Sequence, residues 1–90
     1  MIRLGCLGYG AWGRNVARVA DMNPEARLVA IAERDDARRE RAGQRHPGVE
    51  VVAEHASLLA RPDIDAVLIA TDAVSHASLV EQAAAAGKHV

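Results

Sequence analysis

The chain alternates short, nearly continuous apolar runs with longer stretches in which apolar residues recur every three or four positions. Ile2 to Leu7 is the first such run, and in the stretch from about residue 11 to 22 Val16, Val19 and Ala20 fall on one face at helical spacing. This pattern predicts a strand followed by a helix, which Asn23-Pro24 stops. Arg27 to Glu33 is a second near-continuous run, of the sort expected in a buried parallel strand. Asp35 or Asp36 can cap a very polar helix that ends before Pro47-Gly48. Val49 to Val52 reads as a short strand, Ser57 to Ala60 as a single helical turn, and Asp65 to Thr71 as the most apolar strand, fully buried. Ser75 can cap a helix from about His76 to Ala86, with Gly87 as its left-handed terminal residue and Lys88 near the negative dipole end. His89-Val90 then has the pattern of a first step into another strand.

Strands alternating with helices through short connections require parallel pairing and right-handed crossovers. The expected fold is therefore α/β: a Rossmann-type doubly wound parallel sheet, incomplete, with strand order 3-2-1-4 and one domain over residues 1–90. Ligands of such sheets lie outside the carboxyl ends of the strands, where the order reverses. Here that rule brings the turn after Leu7 and the Thr71-Asp72 segment to one crevice.

The turn in question reads Gly8-Tyr9-Gly10-Ala11-Trp12-Gly13, and Glu33 follows Gly13 by twenty positions, at the end of the second strand. Each glycine has its own reason: Gly8 makes the tight turn, Gly10 lets the backbone approach a pyrophosphate, and Gly13 lets the helix lie close to the sheet. The phosphates then meet free N–H groups, including those of Ala11 and Trp12, at the positive end of the helix dipole. The Trp12 side chain either lines the crevice or packs on the helix, and Tyr9 has the same two readings. Glu33 suits hydrogen bonds to the adenosine ribose hydroxyls and repels a 2′-phosphate, which favours NAD; Arg34 beside it can stack on adenine or pair with the phosphate of NADP. The expected cofactor is NAD, with NADP as the alternative.

Composition narrows the partners. Net charge is -1, with a pI near 6.4, so the basic field that nucleic acid or an anionic membrane surface needs is missing. No apolar run approaches the ~18 residues of a membrane span, and Met1-Ile2-Arg3 leads straight into a strand; the cytoplasm is the expected compartment. With no Phe, one Trp and one Tyr, the core must come from Val, Leu, Ile and Ala. Cys6, the single cysteine, reads as a small buried hydrophobe. His46, His55 and His89 share no ligand spacing with a cysteine or acidic cluster, so no metal site is expected, and the Arg38-Arg39-Glu40-Arg41 run reads as a solvated helix face with mixed-sign pairs.

Two distant segments, IRLGCLGYGAWGRNVARV and DIDAVLIATDAVSHASLVEQAAAAGKHV, together resemble the start of the glucose-fructose oxidoreductase/inositol dehydrogenase (Gfo/Idh/MocA) family. The resemblance covers essentially all ninety residues. It implies the cofactor-binding part of an oxidoreductase that moves hydride between nicotinamide and a sugar, cyclitol or related polyol, and a homo-oligomer is expected. It also implies cofactor contact for Thr71 and Asp72, and it matches His76 to the family histidine, for which a local structural role near a helix start is favoured. Asp72 departs from the pattern, standing where the family usually has proline, which puts the shape of the loop over the cofactor in question. The chain also stops before the Glu-Lys-Pro segment that carries the family's catalytic lysine, and before its substrate domain, so no catalytic residue is expected among these ninety. The competing reading is a free-standing dinucleotide-binding module without chemistry.

Overall fold

The computed structural model describes residues 1–71 and 73–90, with Ala73 and Val74 described by their helical backbone only. The elements in chain order are β1 (Ile2–Leu7), α1 (Ala11–Met22), β2 (Ala26–Ala32), α2 (Asp36–Arg45), β3 (Glu50–Val52), α3 (His55–Leu59), β4 (Ala66–Ile69) and α4 (Ala73–Ala85). All strand pairs are parallel and the sheet order is β3-β2-β1-β4, the expected 3-2-1-4 arrangement.

Alternation along β1 sends Leu7 to one face of the sheet and Cys6 to the other. The Leu7 face packs with Leu58 and Leu59 of α3, Ile64, Val67 of β4, and Leu79 and Ala83 of α4. The Cys6 face packs with Tyr9, Ala17 of α1, Leu28 and Ile31 of β2, and Ala42 of α2. A register shift between Leu4 and Gly5 takes up one extra residue of β2, which explains why Val29 and Ala30 both pack on the Leu7 side.

Three expectations are corrected. The buried stripe of α1 is Gly13, Ala17 and Ala20, with Val16 partly buried, whereas Val19 is exposed. Residues 13, 17 and 20 lie within about 60° of one another at 100° per residue, and Val19 points well off that arc. Small residues bring the helix axis close to the sheet, so the large side chains Trp12, Val19 and Met22 face outward. The fourth strand is shorter and less buried than expected, spanning Ala66–Ile69 with only Val67 fully buried, because it lies at the outside of the sheet. Helix α4 begins at Ala73, which places Ser75 and His76 inside the helix instead of at its cap; alanine is the best helix former and extends the helix toward its N-terminus.

The C-terminal end of α4 follows expectation. Gly87 has φ 75°, and the N–H of Lys88 donates to the Ala83 carbonyl at 3.0 Å. The Lys88 ammonium reaches further, donating to the Ile64 carbonyl at 2.7 Å, so it fastens the helix end to the segment entering β4. His89 then bridges Ala66 in parallel, the strand-like step its sequence suggests.

Candidate functional site

The glycine turn is assembled by three unequal glycines. Gly8 has φ 101°, a left-handed conformation that favours glycine, and a Cβ there would meet the Ala70 carbonyl oxygen at 2.7 Å. A Cβ on Gly13 would lie 2.3 Å from the Gly8 carbonyl oxygen, so α1 sits against the turn with no room for a methyl group. Gly10 differs. Its φ is -73°, open to any residue, and a Cβ there would meet only the tip of the Arg38 guanidinium, at 3.5 Å. Neither backbone conformation nor internal packing accounts for glycine at position 10.

Gly10 is also the N-cap of α1, without a side-chain cap, and no acidic residue occupies the first turn. The helix therefore presents N–H groups and its positive dipole end to the space over Gly10 with no acidic side chain of its own first turn to neutralise them. That space is a crevice lined by Gly8, Gly10, Ala11, Trp12, Glu33, Arg34 and Thr71, together with Arg38, His55, Ala70 and Ser75. Thr71 Oγ1 is buried in its wall with no hydrogen-bond partner among the described residues. A buried hydroxyl left in that state is destabilising unless something else completes it.

Glu33, at the end of β2, is buried and engaged. One carboxylate oxygen accepts the Tyr9 N–H at 2.7 Å and the other accepts the Asp35 N–H at 2.9 Å. Each oxygen retains a second lone pair for a further donor from the crevice. Asp35, not Asp36, caps α2 by accepting the Arg38 N–H at 2.9 Å. That cap sets Arg38 in the first turn of α2, facing the glycine turn. Arg39 folds back to donate to the carbonyls of Glu33 and Arg34 at 2.9 and 2.7 Å and pairs with Asp36. The rest of the basic run is the solvated face with mixed-sign pairs that was expected, with Arg38, Glu40 and Arg41 exposed and Arg39 adding backbone contacts to its pair with Asp36. His55 is half-buried in the crevice wall, and burial, helped by the Arg34 charge, lowers its pKa from the ordinary imidazole value.

The crevice thus gathers Gly8, Gly10, Ala11, Trp12, Glu33, Arg34 and Thr71, with Gly13 packed just beneath. Trp12 lines it while remaining 67% exposed, whereas Tyr9 is buried under the turn. His76 is exposed and does not line the crevice; starting α4 at Ala73 turns Ser75 inward instead. Asp72 lies outside the described residues. Arg38, His55 and Ser75 escaped sequence reasoning. Arg38 alone had a usable signal, since capping by Asp35 places position 38 on the first turn beside the glycine loop.

Cys6 is buried, and desolvation pushes its thiol up to about 12, with the Glu33 charge adding to the effect. It is the inert hydrophobe expected. No group of three or more potential metal ligands occurs among the described residues, and no described helix is long and apolar enough to cross a membrane.

Comparison with known proteins agrees with this geometry. Residues 2–90 match the model of the GFO_IDH_MocA oxidoreductase family, NAD-binding Rossmann fold. The chain is 40% identical over 91 residues to a dTDP-3,4-didehydro-2,6-dideoxy-alpha-D-glucose 3-reductase of Saccharopolyspora spinosa, covering 99% of this chain and 27% of that protein. It is also 40% identical over 89 residues to an inositol 2-dehydrogenase of Rhizobium meliloti, covering 99% of this chain and 26% of that one. A crystal structure of a 3-ketoreductase from Actinomadura kijaniata in complex with NADP and TDP-benzene superposes with a TM-score of 0.90 at 36% identity, over 99% of this chain and 27% of its own. The chain spans about a quarter of the length of these relatives. It belongs to the GFO/IDH/MocA oxidoreductase family, whose NAD-binding Rossmann fold its ninety residues adopt.

Proposed function

We propose that residues 1–90 form the dinucleotide-binding part of an NAD(P)-dependent oxidoreductase acting on a sugar, nucleotide sugar or cyclitol. The observation that carries this reading is Gly10, whose missing side chain leaves open only the space in front of the α1 N-terminus. In the proposed assignment the N–H groups of Ala11 and Trp12 hold the pyrophosphate, Glu33 receives ribose hydroxyls, and Arg34 faces the adenosine end. Thr71 Oγ1 gains from the ligand the hydrogen bond it otherwise lacks. Asp72 adjoins Thr71 in sequence and is proposed to share that end, while the exposed His76 keeps a structural place in α4. The bound nicotinamide would supply hydride chemistry, and this chain would supply grip and orientation. Relatives named as a sugar-nucleotide reductase and an inositol dehydrogenase support the substrate class. The familial lysine is absent from these residues, so the chain by itself is expected to bind without turnover.

We further propose a cytoplasmic homo-oligomer. The net charge of -1 supports the absence of nucleic-acid and membrane partners. Titration calorimetry with NAD and NADP tests the central assignment: saturable binding of at least one nucleotide is expected, and no heat from either at millimolar concentration contradicts it.

A further inference from the structure

Two polar side chains are buried among the described residues, Glu33 and His46, and both bond to Tyr9. Glu33 takes the Tyr9 N–H at 2.7 Å, and His46 Nε2 lies 3.1 Å from the Tyr9 hydroxyl. The His46 ring also stands edge-on to the phenol ring, at 90° and a centroid distance of 5.7 Å. On its other side, His46 Nδ1 lies 3.2 Å from Asp21 Oδ2 in the last turn of α1. An ionised carboxylate only accepts, so Nδ1 donates to Asp21, and Nε2 pairs with the Tyr9 hydroxyl.

The chain of contacts therefore runs from the end of α1 (Asp21), through the end of α2 (His46), to the glycine turn (Tyr9) and the end of β2 (Glu33). Its position matters because Tyr9 is the residue between Gly8 and Gly10. A Gly-x-Gly turn has unusual backbone freedom, yet a pyrophosphate cradle works only if its N–H groups point in fixed directions. Tyr9 is the one residue of the Gly8-Tyr9-Gly10 segment that has a side chain, and it is held at both its backbone and its hydroxyl. For packing alone a phenylalanine would serve, and burying a phenol and an imidazole is favourable only when their bonds are made.

We propose that His46 is a positioning residue for the dinucleotide site: anchored by Asp21, it fixes the glycine turn through the Tyr9 hydroxyl, and so tightens binding at a crevice it does not line. This rests on the dinucleotide reading above. The test uses the ninety-residue chain and its variants Tyr9→Phe, His46→Leu and His46→Gln, followed by backbone amide hydrogen exchange and by calorimetry with NAD and NADP. Tyr9→Phe and His46→Leu are expected to speed exchange at residues 8–12 while the amides of β1 and β2 stay protected. Affinity should fall about fivefold, the worth of one buried hydrogen bond. His46→Gln, which can still bond both neighbours, should recover most of both losses. Protection lost evenly across the sheet would show a merely structural role and overturn the proposal, as would unchanged exchange and affinity in the leucine variant. If the unaltered chain binds neither nucleotide, the dinucleotide reading fails and takes the binding half of this proposal with it; the exchange measurement still decides whether His46 orders the turn.

Discussion

The Gly8 carbonyl oxygen stands 2.3 Å from where a Cβ on Gly13 would be, so the first and last glycines of the turn are in contact through backbone alone. Gly13→Ala must push α1 off the sheet or distort the turn. Overpacking of this kind typically destabilises by about 1–3 kcal/mol. Denaturant unfolding of the variant is expected to show a lowered midpoint, and an unchanged midpoint would show that α1 can shift freely.

Gly10 gives the opposite prediction. A side chain there meets only the mobile end of Arg38, so Gly10→Val should keep the fold by circular dichroism. Its branched Cβ would project toward the pyrophosphate position, and dinucleotide affinity should drop by at least about tenfold, or about 1.4 kcal/mol. Undiminished binding in the folded variant would mean that the turn is structural only.

These two glycines illustrate how much the sequence disclosed. The spacing Gly8, Gly10, Gly13 and Glu33 located the turn, the helix and the strand end, and the alternation of apolar runs gave the sheet order. Hydrophobicity misjudged Val19, because the stripe of α1 that packs on the sheet is made of glycine and alanine, which such patterns underweight. The start of α4 was set three residues late by treating Ser75 as a cap. The Asp21–His46–Tyr9 chain was illegible because its members are 25 and 37 residues apart and join only when α1 and α2 pack side by side. Likewise, the position of Glu33 at a strand end was legible, but its internal bonds to the Tyr9 and Asp35 N–H groups depend on backbone positions that composition does not encode.

Nucleotide preference should follow the charges lining the proposed adenosine end of the crevice. Glu33 opposes a 2′-phosphate, while the Arg34 and Arg38 guanidiniums favour it. Glu33→Gln should raise NADP affinity relative to NAD, and Arg34→Ala with Arg38→Ala should lower it, each by about tenfold or less. Ratios unmoved by either change would place the ribose elsewhere.

Acid stability should depend on a pair far from the crevice. Asp65 takes hydrogen bonds from the Arg3 backbone N–H and guanidinium at 2.9–3.1 Å, joining β1 to the entry of β4. Those bonds hold its carboxyl down to about 2, below the usual value near 4. A depressed folded-state pKa contributes stability above the unfolded value, and that contribution is lost as pH falls from about 4 toward about 2. Asp65→Asn should therefore melt below the unaltered chain at pH 7, with the gap closing across that acidic window. A gap constant with pH would contradict the assignment.

The most direct test of the central claim is residue-resolved amide shift mapping of the labelled chain during titration with NAD and, separately, NADP. The account predicts saturable shifts at residues 8–13, at Glu33 and Arg34, and at Thr71, with amides along the outer face of α1 beyond its first turn undisturbed. Absence of saturable shifts, or shifts centred away from the glycine turn, would contradict it.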